Sequence, residues 1–160
     1  MSETETALPE IATSGTATPE TATPEAAFTA DERLVLQTAA HGVVGLMAAA
    51  DPGLISSTRS GMAGGKALSS ATGAIGRVLA QSPKGMELGG KSTADVADQV
   101  FTALTSSIAL LKAKAPQEID NFRDTIAVIM DAASRAHRGE AGPAEASMIR
   151  KITATLDAAA

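Results

Sequence analysis

The sequence predicts an all-α protein, a bundle of about five helices behind a disordered N-terminal tail. Three observations predict it. Apolar residues recur at helical spacing, most clearly at Ile119, Phe122, Ile126, Ile129 and Ala133, a 3-4-3-4 stripe. Helix start and stop residues bracket the periodic segments. No segment sustains the period-two alternation of a half-buried strand.

Residues 1–27 read as the tail. Ala, Thr, Pro and Glu dominate it, and TATPE occurs twice in tandem, at 16–20 and 21–25. So little large apolar surface does not offset the entropy of ordering, so the expectation is a solubilising segment with polyproline II character. Thr18 and Thr23 each precede Pro and are candidate modification positions. Residues 28–160 are expected to form the bundle, one domain by length.

The first helix should begin at Thr29, which forms a capping box with Glu32: hydroxyl and carboxylate each satisfy an orphan backbone N–H. It runs to about Ala50, with Leu36, Ala39, Ala40, Val43, Leu46, Met47 and Ala50 at helical spacing. Being apolar almost all round, it should be central. Residues 34–50 carry no charge but include Gln37, Thr38, His41, Gly42 and Gly45. The stretch falls short of the ~20 apolar residues of a membrane span, which favours a buried core helix.

Asp51-Pro52-Gly53 ends that helix. Residues 54–81 then hold one or two helices, with Leu54, Ile55, Met62, Leu68, Ile75, Val78 and Leu79 at compatible spacings. Gly61, Gly64, Gly65, Gly73 and Gly76 each cost up to ~1 kcal/mol against Ala there, and close helix approach is a reason to keep them. Residues 82–91 are a Pro/Gly-rich linker. Ser92 or Thr93 starts the next helix, whose face is Val96, Val100, Leu104, Ile108 and Leu111. Pro116 suits the first turn of the following one and Gly139 its stop. A last helix follows Pro143 with Met148, Ile149, Ile152 and Leu156.

Composition narrows the function. Five of the 18 acidic residues lie in 1–27, which has no Lys or Arg, so residues 28–160 carry 13 charges of each sign. A neutral body with no basic stripe argues against nucleic-acid binding. Three Phe, no Tyr and no Trp leave little for bases to stack on. The absence of Cys excludes disulfides, thiolate metal sites and cysteine nucleophiles. No basic n-region with an apolar run opens the sequence, so the expected compartment is the cytoplasm.

One motif invites chemistry. Residues 85–93, GMELGGKST, match the phosphate-loop pattern G-x-x-x-x-G-K-[ST]. In such loops glycine N–H groups wrap phosphates, the lysine reaches the β/γ oxygens and the hydroxyl holds Mg²⁺. Gly85, Gly90, Lys91 and Ser92 would be the agents, with an Mg-nucleotide as cofactor. The setting for that chemistry is a buried strand before the loop, within a parallel sheet. Gly76 and Arg77 interrupt the only upstream candidate strand, and residues 126–131 continue a helical stripe. The favoured reading is a flexible linker into a capped helix, with nucleotide binding as the alternative.

His41 on the apolar first helix reads as a satisfied core histidine, and His137 beside Arg135 and Arg138 as a cation at a helix C-terminus. No H-x-x-x-H pair and no G-x-S-x-G elbow occur.

Residues 46–53 (LMAAADPG) and 132–139 (AASRAHRG) each end a helix in small residues before a turn, the second followed by Glu140 and Glu145. This layout resembles the tellurite-resistance TerB-like proteins, which are all-helical with two such pseudo-repeats. The stretch around 110–116 (LLKAKAP) is similar to one shared by a set of small uncharacterised bacterial proteins. The resemblance implies a divalent-metal site on acidic loop residues. Asp51 matches the first loop's Asp, while Ser57 and Thr58 stand where the following Glu is expected; Arg138 occupies the second Asp position, with Glu140 and Glu145 retained. Asp51, Glu140 and Glu145 are thus the metal candidates. The expected function is non-enzymatic and needs no cofactor: a stress-associated or scaffolding module acting on a protein partner or by self-association.

Overall fold

The computed structural model describes residues 24–90, 92–136 and 141–160. Thr18 and Thr23 lie outside the described residues. Among those described, every regular element is a helix. They are α1 (Ala30–Ala50), α2 (Leu54–Ser69), α3 (Gly73–Ala80), α4 (Thr93–Lys114), α5 (Ile119–Ala136) and α6 (Pro143–Ala159). Single 3-10 turns, Pro24–Ala27 and Pro116–Glu118, precede α1 and α5.

The described helices number six rather than about five, because residues 54–80 split. Ser70 N closes α2 onto Lys66 and Ala67 carbonyls, and its hydroxyl donates to Lys66 O at 2.9 Å. Gly73 then takes φ +80°, where a side chain would be strained, and an added Cβ would also meet Asn121 Nδ2. The chain turns there and α3 begins.

An eight-residue helix with two glycines needs outside support. Both ends of α3 have it. Gln37 Nε2 donates to Val78 O at 3.0 Å, and His41 Nε2 lies 3.1 Å from Leu79 O and 3.2 Å from Gln81 O. At the other end Glu118 Oε2 accepts from Ile75 N at 3.2 Å and from Asn121 Nδ2 at 3.1 Å. Carbonyls at the C-terminus and an amide at the N-terminus thus find partners on α1 and around the start of α5.

The Thr29 capping box forms: Thr29 N donates to Glu32 Oε2 at 2.8 Å and Glu32 N to Thr29 Oγ1 at 3.2 Å. From there α1 runs through the middle, touching each of α2 to α6. It buries Leu36, Ala39, Ala40, Val43, Leu46 and Met47. By length and composition it is the one described helix that could cross a membrane, and Leu36, Val43, Leu46 and Met47 enter the core while Leu34 and Val35 stay half-buried. Gly42 lets α4 approach, since a Cβ would overlap the Val100 side chain. Against this frame α5 buries Phe122, Ile126, Ile129 and Ala133, and α6 buries Ile152 and Leu156.

Lys114 at the end of α4 reaches Glu32 at 2.7 Å, tying it to the start of α1. Lys114 first, then the Thr29 amide, hold the Glu32 carboxyl below its ordinary value of 4.5. A lowered folded-state pKa contributes stability above the unfolded value, lost as pH falls through the folded one. The advantage of wild type over Glu32→Gln should therefore be full at neutral pH and shrink below about pH 4.5. Urea unfolding across a pH series reads it. A gap that widens toward acid would contradict the assignment.

Candidate functional site

The glycine-rich motif lies between two helices. Residues 75–80, the only candidate strand upstream of it, belong to α3. Residues 81–90 then run without regular structure, with Gly85 at φ +84°. The segment is pinned rather than open. Leu88 packs against the core, and Gln99 Nε2 donates to Gly89 O. Gly90 sits so close to the first turn of α4 that a Cβ would come 2.7 Å from Asp95 Cβ. Ser92 is the N-cap of α4, its hydroxyl accepting from Asp95 N at 3.2 Å. A groove of about 450 Å³ opens beside it, lined by Gly45, Leu46, Ala49, Gly90, Ser92, Thr93 and Val96. Its lining is mostly apolar, and Lys91 lies outside the described residues.

Two of the three metal candidates, Asp51 and Glu145, fall near one end of α5. Asp51 is 5% exposed at the end of α1. Its Oδ1 accepts from Ser56 Oγ at 2.5 Å and Gly53 N at 3.2 Å, and Ser60 Oγ donates to Oδ2 at 3.0 Å. Ser60 also lies 3.1 Å from Ala133 O in the last turns of α5. The next residue, Ser134, donates to Glu145 Oε1 at 2.5 Å. Glu145, in the first turn of α6, is 2% exposed, and its buried Oε2 has no hydrogen-bond partner among the described residues. Asp51 is thus linked through Ser60 to Ala133 and Glu145 directly to Ser134, consecutive residues of α5. Glu140 lies outside the described residues, as do His137, Arg138 and Gly139. Among the described residues no three acidic or histidine side chains gather where a cation could sit.

His41 is half-buried on α1, its Nε2 on the carbonyls at the end of α3, the satisfied position expected of it. The remaining feature is a face rather than a pocket. Ile55 and Met62, counted among the helix-forming apolar residues, point outward from α2 and are 72% and 71% exposed. Arg59 and Lys66 share that face, also exposed. The 4-3-4 spacing of 55, 59, 62 and 66 sets them on one face, but that this face turns outward is decided by how α2 packs and not by the spacing. The serines that hold Asp51 and Glu145 carry no such signal, since those bonds depend on how the turn after α1 folds onto α2 and how α6 packs on α5.

No family model, curated protein or solved structure matches the chain.

Proposed function

We propose that the protein is a non-enzymatic cytoplasmic interaction module, of stress-associated or scaffolding type, that works through the outward face of α2. One observation carries this reading. Two large hydrophobic side chains stand exposed on one helix face, interleaved with two cations that form no ion pair among the described residues. Exposed apolar groups rimmed by charge are the mark of a protein contact. The TerB-like layout of the two helix ends supports the same class.

A photo-crosslinking residue at Met62 of the full chain tests it. Expressed in the native cell, it should give a discrete adduct that the Arg59→Glu/Lys66→Glu chain loses. A denaturing mass spectrum that releases stoichiometric nucleotide or metabolite would overturn the reading.

A second reading is favoured by the unpartnered Glu145 Oε2: a divalent cation held with Asp51 and Glu140. Hard cations seek six or more oxygens, so the site would have to recruit backbone carbonyls or water. Millimolar Ca²⁺, Mg²⁺, Zn²⁺ or Mn²⁺ should then raise the melting temperature of wild type and not of Glu145→Gln. No rise with any of them ends it.

A further inference from the structure

We infer that the acidic N-terminal segment, residues 1–23, docks on the outward face of α2. The inference rests on reading that face as a docking surface and names its first occupant. The face is a single stripe of Ile55, Arg59, Met62 and Lys66, about 17 Å long at 1.5 Å per helical residue. Ile55 and Met62 are two of the three exposed large hydrophobics among the described residues. The helix contains no Asp or Glu. Neighbouring α5 presents exposed Asp124 and Asp131, yet Asp131 pairs with Arg135 at 3.0 Å and neither bridges to α2. An occupant must therefore bring both apolar groups and negative charge.

The same face of a second copy does not qualify. It would bring two more cations and no acidic residue to an interface that already holds Arg59 and Lys66, and like charges oppose docking. Residues 1–23 qualify on both counts. They hold Glu3, Glu5, Glu10 and Glu20 with no base, and Leu8 and Ile11 flank Glu10. Reach is ample. The segment joins the fold at the 3-10 turn Pro24–Ala27, which packs on α3, and α3 follows α2 after a short turn. From Ile11 to Pro24 the chain can span about 40 Å at ~3.1 Å per residue. Tethering sets a local concentration of order mM, so an intrinsic affinity of that order leaves the segment about half docked. An outside partner for α2 would have to displace it.

The full chain contains no Cys, so Thr13→Cys gives a single site for a nitroxide label. Amides of residues 55–66 should lose roughly half their intensity relative to the reduced label, while those of α6 do not. The loss should disappear with Arg59→Glu/Lys66→Glu. It should also fade in ~1 M salt, where screening acts within ~3 Å and no variant is involved. Sharp α2 amides, or broadening spread evenly over the bundle, overturn the inference. Broadening of an isotope-labelled chain by a separate spin-labelled one assigns the contact to another copy and overturns it too. If Met62 still crosslinks an outside protein while the α2 amides stay sharp, only the tail fails and the docking face stands.

Discussion

Replacing Phe122 with alanine is expected to remove about 3–5 kcal/mol of unfolding free energy. Phe122 is fully buried on α5, the helix that packs against both α1 and α2. The chain has three Phe and neither Tyr nor Trp, and Phe122 is the largest fully buried side chain among the described residues. Its truncation removes more volume than that of any other fully buried side chain among the described residues, which places the loss toward the upper end of the range. With a urea slope of ~1–3 kcal/mol per molar, the midpoint should fall by more than about 1 M. Against a total of ~5–15 kcal/mol the alanine variant can be largely unfolded. Phe122→Leu, which keeps most of the volume, should lose only about 1–2 kcal/mol and keeps the comparison measurable. A loss below about 0.5 kcal/mol for Phe122→Ala, typical of a surface site, would contradict the packing.

What the sequence made legible was local. The capping box at Thr29 and the stripes of α4, α5 and α6 each arise from residues within a few positions of one another, and each appears as expected. The break between α2 and α3 was not legible, because five glycines between 61 and 76 offer several equivalent places to stop. The choice is made from a distance, by Glu118 and Asn121 at the start of α3 and by Gln37 and His41 at its end. The candidate site divides in the same way. Ser92 as a helix cap follows from its position before Thr93 and Asp95. The Ser60 bond to Asp51 joins the turn after α1 to α2 and the Ser134 bond to Glu145 joins α5 to α6, and periodicity carries no information about either.

Replacing Asp51 with alanine should cost about 2–4 kcal/mol, since each hydrogen bond to a buried charge is worth ~1.5–3 kcal/mol and some is regained on relaxation. Asp51 follows the C-terminus of α1, where its charge is unfavourable, and precedes the N-terminus of α2, where it is favourable. The second effect dominates, because Gly53 N, Ser56 and Ser60 all donate from the α2 side. Asp51→Asn keeps the shape and one acceptor oxygen, so about half the loss should remain. Ser60 is 2% exposed and also contacts Ala133 O, so the pair links α2 to α5. Asp51→Ala and Ser60→Ala should accordingly lose less together than the sum of their separate losses, by about 0.5–3 kcal/mol. Chelator separates this role from a metal one. If the carboxylate acts through its hydroxyl and amide donors, EDTA leaves both wild-type stability and the Asp51→Ala loss unchanged. If it acts through a cation, EDTA lowers wild type toward the variant and the gap between them closes.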